Sequence, residues 1–175
     1  MKLNSLVDRR CIRALYRASQ AGVPVDLNIR GICCLIPGLP GISENIHVTS
    51  IVGRFLEHSR IYAFERNGET TVYIGSADLM PRNLDTRVEL VTPVEDPSLR
   101  DDLLDTLERS LADDTNSWDL GPDNVWSRRK QQGNEPRSVA SSGRRPPAPT
   151  SWCCRRSSGR ACPRGRPGAS RRATG

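Results

Sequence analysis

The sequence predicts an α/β domain followed by a disordered tail, and three observations lead to this prediction. Helical and extended patterns alternate along the first two thirds of the chain, which is typical of a sheet covered by helices. Residues 1–124 carry 13 Lys and Arg against 19 Asp and Glu, whereas residues 125–175 carry 13 against 1. After Leu120 there is no Leu, Ile, Met, Phe or Tyr, so the tail cannot bury enough apolar surface to offset its ordering entropy. We therefore place a domain boundary between residues 124 and 125.

The first half of the domain predicts one helix, one strand and a long loop. Over Val7–Gln20 the apolar residues recur at helical spacing, and Asp8 can cap the start. Val23–Ile29 alternates apolar and polar residues as a strand does. Two Pro-Gly pairs interrupt Gly31–Ser43, which indicates a structured loop. A loop of this length within a compact domain is often functional.

The second half predicts further strands and a closing helix. Asn67-Gly68 gives a strong hairpin signal between two extended stretches. Asp96-Pro97 can cap and begin the last helix, in which leucine recurs every fourth residue. The other predicted elements are a strand at Ile46–Val48, a short helix at Ser50–Glu57 with Ile51, Val52 and Phe55 inward, and strands at Arg60–Glu65, Thr71–Ile74 and Val88–Val91.

Several protein classes are excluded at this stage. No apolar run approaches the roughly 20 residues that cross a bilayer, and the N-terminal residues are not followed by the apolar region of a signal peptide. Six cysteines would permit a disulfide framework, but their placement on a helix-like face, in an apolar stretch and in the tail disfavours one. Their spacing also lacks the pairs typical of zinc sites. We expect a cytoplasmic protein.

The residues with the best potential for phosphate chemistry are Arg30 and His58. Arg30 ends a predicted strand, and ligands of open α/β sheets bind beyond the carboxyl ends of strands. His58 lies close to Arg60 and precedes the small turn Gly75-Ser76-Ala77-Asp78. Cations and backbone amides stabilise phosphoryl oxygens. The alternative for His58 is a residue that only caps the end of a helix.

Three other polar features allow two interpretations each. His47 alternates with apolar neighbours, so a surface position is favoured over a functional one. Arg82–Arg87 places two guanidinium groups beside one carboxylate, which suits either a phosphate site or an internally paired turn. The arginines of the first helix are either a solvated face, the usual explanation, or a polyanion-binding patch.

A series of linked motifs runs in order and without large gaps from Leu3 to Ser117. The motifs are Leu3–Asp8, Leu15-Tyr16 with Ala18-Ser19 and Gly22–Val25, Arg30–Cys33, Ile42–Ile46, Ser50–Val52, Phe55–Tyr62, Gly75–Asp78 and Arg82–Glu89. Together they closely resemble the C-terminal domain of bacterial long-chain polyphosphate kinase.

This resemblance implies a partial phospholipase-D-like fold, a mixed sheet with flanking helices. It implies reversible transfer of the terminal phosphoryl group of ATP to polyphosphate through a phosphohistidine. By the resemblance, Arg30 and His58 contact the nucleotide, and His58 supports phosphoryl transfer. The partners are then ATP, ADP and polyphosphate. Magnesium belongs to the family, with its ligands expected outside this chain, and the family is oligomeric and in some settings membrane-associated.

The departures from the family are equally informative. The phosphohistidine belongs to earlier domains, so we expect a domain that is incomplete at its N-terminal side and inactive alone. The resemblance is expected to stop near Val125, where the sequence becomes rich in Arg, Pro, Ser, Gly and Cys. That composition is what GC-rich DNA yields in a wrong frame. We hypothesise that residues 125–175 are translated out of frame.

Two alternative functions stay open. The first is a phospholipase-D-like phosphodiesterase, for which His58-Ser59-Arg60, Glu65 and Gly75–Asp78 would replace the usual motifs with altered hydrogen-bond donors. The second is a non-enzymatic polyanion-binding protein whose basic tail binds nucleic acid non-specifically through counterion release.

Overall fold

The structure is a computed structural model, and it describes residues 1–130. It contains two α-helices, eight β-strands and one short π-helical turn within that range. In chain order the elements are β1 (Lys2–Leu3), α1 (Arg9–Gln20), β2 (Val25–Ile29), β3 (Ile46–Ile51), β4 (Ile61–Arg66), β5 (Glu69–Gly75), the π-helical turn (Arg82–Thr86), β6 (Val91–Pro93), α2 (Pro97–Ala112), β7 (Ser117–Leu120) and β8 (Trp126–Arg128).

The eight strands form one mixed sheet in the order β6-β5-β4-β1-β2-β3-β7-β8. The central strands β1, β2 and β3 run parallel to one another. The remaining neighbours pair antiparallel. The predicted α/β fold with a mixed sheet and flanking helices is therefore confirmed.

The two helices cover opposite faces of the sheet. Neighbouring residues of a strand point to opposite faces, and in β4 Tyr62 packs in the cluster that contains Leu15 of α1. The adjacent Ile61 packs with Leu107 of α2 instead. The domain thus has three layers, with α1 on one side and α2 on the other. Neither helix of residues 1–130 is long and apolar enough to cross a membrane.

Local signals account for the ends of these elements. Asp8 caps α1 by accepting a hydrogen bond from the Cys11 backbone N–H at 2.9 Å. Asp96 caps α2 in the same way, and a proline occupies the first turn. Asn67 and Gly68 have φ angles of 55° and 80°, the left-handed conformation that a tight hairpin turn requires at both positions. These predictions are confirmed.

The predicted helix over Ser50–Glu57 is wrong. Ser50 and Ile51 extend β3 and pair with β7, so a strand that is distant in sequence supplies backbone partners that a helix would have to give up. Val52, Phe55 and Leu56, two of which were predicted to point inward, are exposed by 61%, 77% and 74%. The residues from 52 to 60 form an irregular segment on the surface. His58 therefore does not close a helix.

Two smaller predictions also need correction. The strand expected at Val88–Val91 begins only at Val91 and ends at Pro93, because the Leu90 N–H is bound by the Ser76 hydroxyl and not by a strand. The ordered fold also continues past the boundary predicted after residue 124, since β8 pairs with β7. The rest of the predicted disordered tail, residues 131–175, lies outside the described residues.

Arg129 fixes the segment that contains β8 to the rest of the domain. Its guanidinium donates to Asp119 through Nε at 3.1 Å and Nη2 at 2.6 Å. Nη1 donates to the Leu111 carbonyl at 2.6 Å and to the Asp113 carbonyl at 3.1 Å. Cations near the last carbonyls of a helix are favoured by its dipole. Arg129 therefore closes the C-terminal end of α2 and ties it to β7.

We expect Arg129→Ala to lower the free energy of unfolding by about 2 kcal/mol, because it removes several charge-assisted hydrogen bonds. Urea unfolding of the full chain measures this change. Lys130→Ala is the matched control, since it removes the same charge from an exposed neighbour and should change stability by less than about 0.5 kcal/mol. Equal effects of the two substitutions would contradict this role of Arg129.

Candidate functional site

A cleft of about 330 Å³ lies where the three parallel strands end. Asn4 follows β1, Arg30 follows β2 and Ile51 ends β3, so the carboxyl ends of the strands form its floor. This is the edge at which open α/β sheets bind ligands. The lining residues are Lys2, Leu3, Asn4, Arg30, Ile51, Gly53, Arg54, Phe55, Glu57, Ser59, Asp113 and Asn116.

Arg30 is positioned by the close contact of two chain segments. The Gly31 N–H donates to the Asn4 carbonyl at 2.8 Å, and a Cβ on Gly31 would lie only 2.9 Å from that oxygen. Glycine at this position therefore allows the chain to turn directly after Arg30. The Ser50 hydroxyl also donates to the Arg30 carbonyl at 3.3 Å. These contacts hold the backbone from which the guanidinium extends.

The Arg30 guanidinium has an unused donor. Its Nη1 atom is buried and has no hydrogen-bond partner among residues 1–130. Buried donors almost always have partners, and one that lacks a partner in the protein points to a ligand, an ion or water. A charged donor at the wall of a cleft suits an anion. This is the strongest local indication of the ligand's chemistry.

Two further cations line the same cleft. Lys2 is buried in β1, and its Nζ atom lies 2.7 Å from Glu57 and donates to Asn28 at 3.1 Å. The Arg54 guanidinium lies over the Phe55 ring, 5.9 Å from its centre. Lys2 is thus partly neutralised, whereas Arg54 has no ion pair among the described residues. Three cations, Lys2, Arg30 and Arg54, line the cleft against two acids, Glu57 and Asp113, which leaves an excess of one positive charge.

His58 lies beside this cleft and not in it. It lines a neighbouring cavity of about 440 Å³ between the start of β4, the end of β5 and α2. Ser59 lines both cavities, so the predicted residues Arg30 and His58 belong to adjoining sites that share one wall. His47, predicted at the surface, is exposed, and it lines a third cavity with Asp26 and Arg129.

Asp78 organises the turn after β5. Its side chain accepts hydrogen bonds from the Asn4 and Ser5 backbone N–H groups at 2.7 and 3.3 Å. It also accepts hydrogen bonds from Nε and Nη2 of Arg60, at 3.2 and 2.9 Å. Both charged side chains are largely buried. The Arg60 guanidinium is thus used within the protein, while Arg30 is not.

The pKa of Asp78 reflects this network. Burial raises the pKa of the carboxyl group, but the hydrogen bonds from Arg60 and from the Asn4 backbone outweigh that effect. The net result is a pKa below the ordinary value of an aspartate. The ionised form is therefore the one that the folded domain stabilises.

The remaining polar motifs are mostly used for structure. Ser76 donates to Glu89, which also accepts from Asn83, and these bonds lower the pKa of Glu89. Asp85 pairs with Arg10 of α1 at 2.7 Å, so of the two interpretations of Arg82–Arg87 the internally paired turn is not the arrangement found. Neither Arg82 nor Arg87 has an ion pair within 4.0 Å among residues 1–130.

Comparison with known proteins shows the family. A model of "Polyphosphate kinase C-terminal domain 2" matches residues 1–140. The chain belongs to this polyphosphate kinase C-terminal domain family. The match continues past residue 125, where the resemblance was expected to stop, and ends at residue 140.

Curated relatives and a solved structure agree with the family. The chain is 59% identical over 127 residues to polyphosphate kinase 1 of Chlorobaculum tepidum, covering 73% of this chain and 18% of that protein. It is 54% identical over 134 residues to polyphosphate kinase of Pseudomonas aeruginosa, covering 77% and 19%. The crystal structure of polyphosphate kinase from Porphyromonas gingivalis matches 77% of this chain and 21% of that one, with a TM-score of 0.74 and 44% identity. The chain thus spans about a fifth of the length of these polyphosphate kinases.

The arrangement in this polyphosphate kinase domain does not suit the phosphodiesterase alternative. That chemistry needs a free cation two residues after His58, but Arg60 is bound by Asp78. It also needs a nearby acid, and Glu65 lies four residues into β4, opposite Thr70 at the hairpin end. This is about 13 Å along the strand from Ile61. The motif residues are therefore not brought together.

The described residues of this domain form no cluster of three metal-ligating side chains, and two of their cysteines have raised pKa values. No group of three or more His, Cys, Asp or Glu side chains among residues 1–130 converges as a metal-binding cluster. Cys11, Cys33 and Cys34 are free thiols. Burial raises the pKa of Cys11 and of Cys33 to about 11, which keeps them protonated near neutral pH.

Sequence reasoning missed two residues of the cleft. Lys2 offered a signal, because a lysine within a short apolar strand must find a buried partner or extend to solvent. Arg54 had no usable signal, since it fell in a segment that was predicted to be helical. Both reach the cleft through strand pairings that the sequence does not display.

We expect Asp78→Asn to destabilise the domain by about 3 kcal/mol at pH 7, because it leaves the Arg60 charge buried without its partner. The pKa of Asp78 is lower in the folded domain than in the unfolded chain. The ionised carboxylate therefore stabilises the fold fully above the ordinary aspartate pKa, near 4. This stabilisation is lost as the pH falls through the lowered pKa. Urea unfolding between pH 7 and pH 2.5 should show a smaller acid loss in Asp78→Asn than in the unmodified chain.

Asp102→Asn provides the control for this prediction, since Asp102 is exposed on α2. It should reproduce the stability and acid response of the unmodified chain. If Asp78→Asn matched Asp102→Asn at pH 7, the Asp78 network would not have the assigned importance.

Proposed function

We propose that this chain supplies phosphate-binding groups to a polyphosphate kinase, which transfers the terminal phosphoryl group of ATP reversibly to polyphosphate. The observation that carries the proposal is the buried, unpartnered Nη1 of Arg30, in a cleft at the carboxyl ends of parallel strands. Membership of the polyphosphate kinase C-terminal domain family supports a phosphate group as the anion. The proposed ligands are ATP, ADP and polyphosphate, which would place the activity in the cytoplasm.

The role of each residue follows from the needs of phosphoryl transfer. Catalysis of this reaction depends on positioning and on stabilising charge on the transferred group. Arg30 would donate to a phosphoryl oxygen, and Lys2 and Arg54 would add positive potential. His58 would act from the adjoining cavity as a supporting donor or acceptor of a proton. In this assignment Asp78 and Arg60 position the cleft and do not touch the substrate.

The proposal makes the chain one part of a larger catalytic unit. The phosphohistidine of the family is expected outside this chain, because neither His47 nor His58 corresponds to it. The chain spans 18% of its relative from Chlorobaculum tepidum, which agrees with this division. We also propose that the family-derived domain extends at least through Arg129. The out-of-frame translation hypothesised for residues 125–175 would then begin after residue 140, where the family match ends. The proposal also includes an oligomeric state for the polyphosphate kinase to which this chain contributes.

The purified 175-residue chain should not synthesise polyphosphate from ATP, because it lacks the residue that carries the phosphoryl group. Incubation with ATP labelled at the terminal phosphate, followed by separation of long-chain product, measures this. A polyphosphate kinase of full length is the positive control. Synthesis by the purified chain that is lost in His58→Ala would contradict the assignment of the phosphohistidine to another domain.

Arg30→Ala should weaken binding of tripolyphosphate by about ten- to a hundredfold, because one charge-assisted hydrogen bond is worth about 1.5–3 kcal/mol. Arg30→Lys should recover part of this loss, since it keeps the charge and loses the planar fork. Isothermal titration calorimetry at about 0.15 M salt, which screens the charges of the tail, measures the affinities.

Arg66→Ala is the matched control for this binding experiment. Arg66 ends β4 at the hairpin, is exposed, and pairs only with Glu69 of the opposite strand through the backbone register. It removes the same charge away from the cleft. Equal losses of affinity in Arg30→Ala and Arg66→Ala would overturn the assignment of the cleft as the phosphate site.

A further inference from the structure

Helix α1 carries a one-sided concentration of positive charge. Its twelve residues include four arginines and no Asp or Glu. Its apolar side packs into the core through residues such as Leu15, Cys11 and Ile12. The arginines therefore occupy the face that points away from the sheet.

Three of these arginines form a continuous row. Arg9, Arg13 and Arg17 follow one another at intervals of four residues, so they lie on neighbouring turns of one helix face. The row is about 12 Å long at 1.5 Å per residue. All three side chains are exposed. We call these three residues the arginine row.

No acid within the described domain neutralises the arginine row. None of its members makes an ion pair or a side-chain hydrogen bond with any of residues 1–130. The fourth arginine differs, because Arg10 bonds to Asp8 at 3.3 Å and to Asp85 at 2.7 Å. The helix thus pairs the one arginine outside the row and leaves the row itself open.

Stability of the helix does not explain such a row. Like charges four residues apart destabilise a helix, and a cation in the first turn, as at Arg9, is opposed by the helix dipole. Helix α2 shows the more usual arrangement, with acids and arginines mixed and Arg109 paired with Asp105 at 2.7 Å. An anion bound along α1 would remove the repulsion.

We propose that the arginine row binds linear polyphosphate outside the Arg30 cleft. The inference rests on the proposed function for the identity of the polyanion. A polyphosphate chain carries a charge on every phosphoryl group, so a segment laid along the row meets a guanidinium at each helical turn. Arginine also binds phosphoryl oxygens through two parallel hydrogen bonds. The row would hold part of a chain whose end is at the cleft or beyond it.

The same face is poorly suited to nucleic acid. Single-stranded nucleic acids gain affinity by stacking bases on aromatic side chains. The one aromatic residue of α1 is Tyr16, whose hydroxyl is held by the Ile36 N–H at 3.0 Å. It packs against the core and not beside the row. A charged chain without bases therefore fits the row better.

The test compares two triple variants of the full chain in binding to long-chain polyphosphate across a series of salt concentrations. The first variant combines Arg9→Gln, Arg13→Gln and Arg17→Gln. Its affinity for polyphosphate at low salt should fall about tenfold. The slope of log K against log salt should decrease in magnitude by about 2, as expected for three lost cations. Glutamine keeps helix propensity. The control Arg66→Gln, Arg100→Gln, Lys130→Gln removes the same charge from dispersed positions. Equal effects of the two variants would overturn the proposal.

A second measurement locates the binding. Phenylglyoxal modification of arginines, read peptide by peptide by mass spectrometry, should show protection of the row by polyphosphate and none at Arg66. Oligothymidylate at the same phosphate concentration should protect the row less. Protection by oligothymidylate equal to that by polyphosphate would overturn the choice of ligand in favour of nucleic acid.

Failure of this inference can be told apart from failure of the proposed function. The triple variant of the arginine row should keep the tripolyphosphate affinity that depends on Arg30. If the row showed no protection while Arg30→Ala still weakened tripolyphosphate binding, only the arginine row would be refuted. If Arg30→Ala had no effect either, the proposed function would be refuted as well.

Discussion

The carboxylate of Asp78 is the contact on which the rest of the described domain depends. Strand β1 is only two residues long, yet it stands in the middle of the sheet and joins its two halves. Its register with β4 consists of one residue pair, Lys2 with Ile61. Directly after β1, the backbone N–H groups of Asn4 and Ser5 donate hydrogen bonds to the Asp78 side chain. A side chain thus completes a strand pairing that the backbone alone leaves very short.

This clamp also decides which cation is available to a ligand. Asp78 holds Arg60 in a paired geometry and fixes the backbone at Asn4, against which Gly31 packs. Arg30 therefore extends from a rigid position with one donor unused. The same network therefore pairs Arg60 with Asp78 and leaves Nη1 of Arg30 without a hydrogen-bond partner among residues 1–130. Two arginines that look equivalent in the sequence acquire different roles for this reason.

The parts of the fold that the sequence predicts are those governed by neighbouring residues. The caps at Asp8 and Asp96 and the turn at Asn67 depend on contacts within three residues or on one backbone conformation. The segment after Ser50 was mispredicted because its backbone partner, β7, lies more than sixty residues away. The site divides in the same way: Arg30 was expected at a strand end, whereas its unused donor and the pairing of Lys2 with Glu57 arise only from tertiary contacts.

The exposed segment after β3 indicates how the cleft works electrostatically. Phe55 and Leu56 present large apolar surfaces to solvent beside the cations of the cleft, and a protein surface of this kind commonly marks a contact with another domain or partner. In an open cleft, water weakens the attraction between Arg30 and a phosphate, since the interaction energy of two charges falls as the effective dielectric constant rises. Covering the apolar segment would exclude water from that edge and strengthen the same contacts without adding a charge. Under the proposed function, the geometry of the chain would set where a phosphate binds, and the enclosure of the cleft would set how strongly it is held.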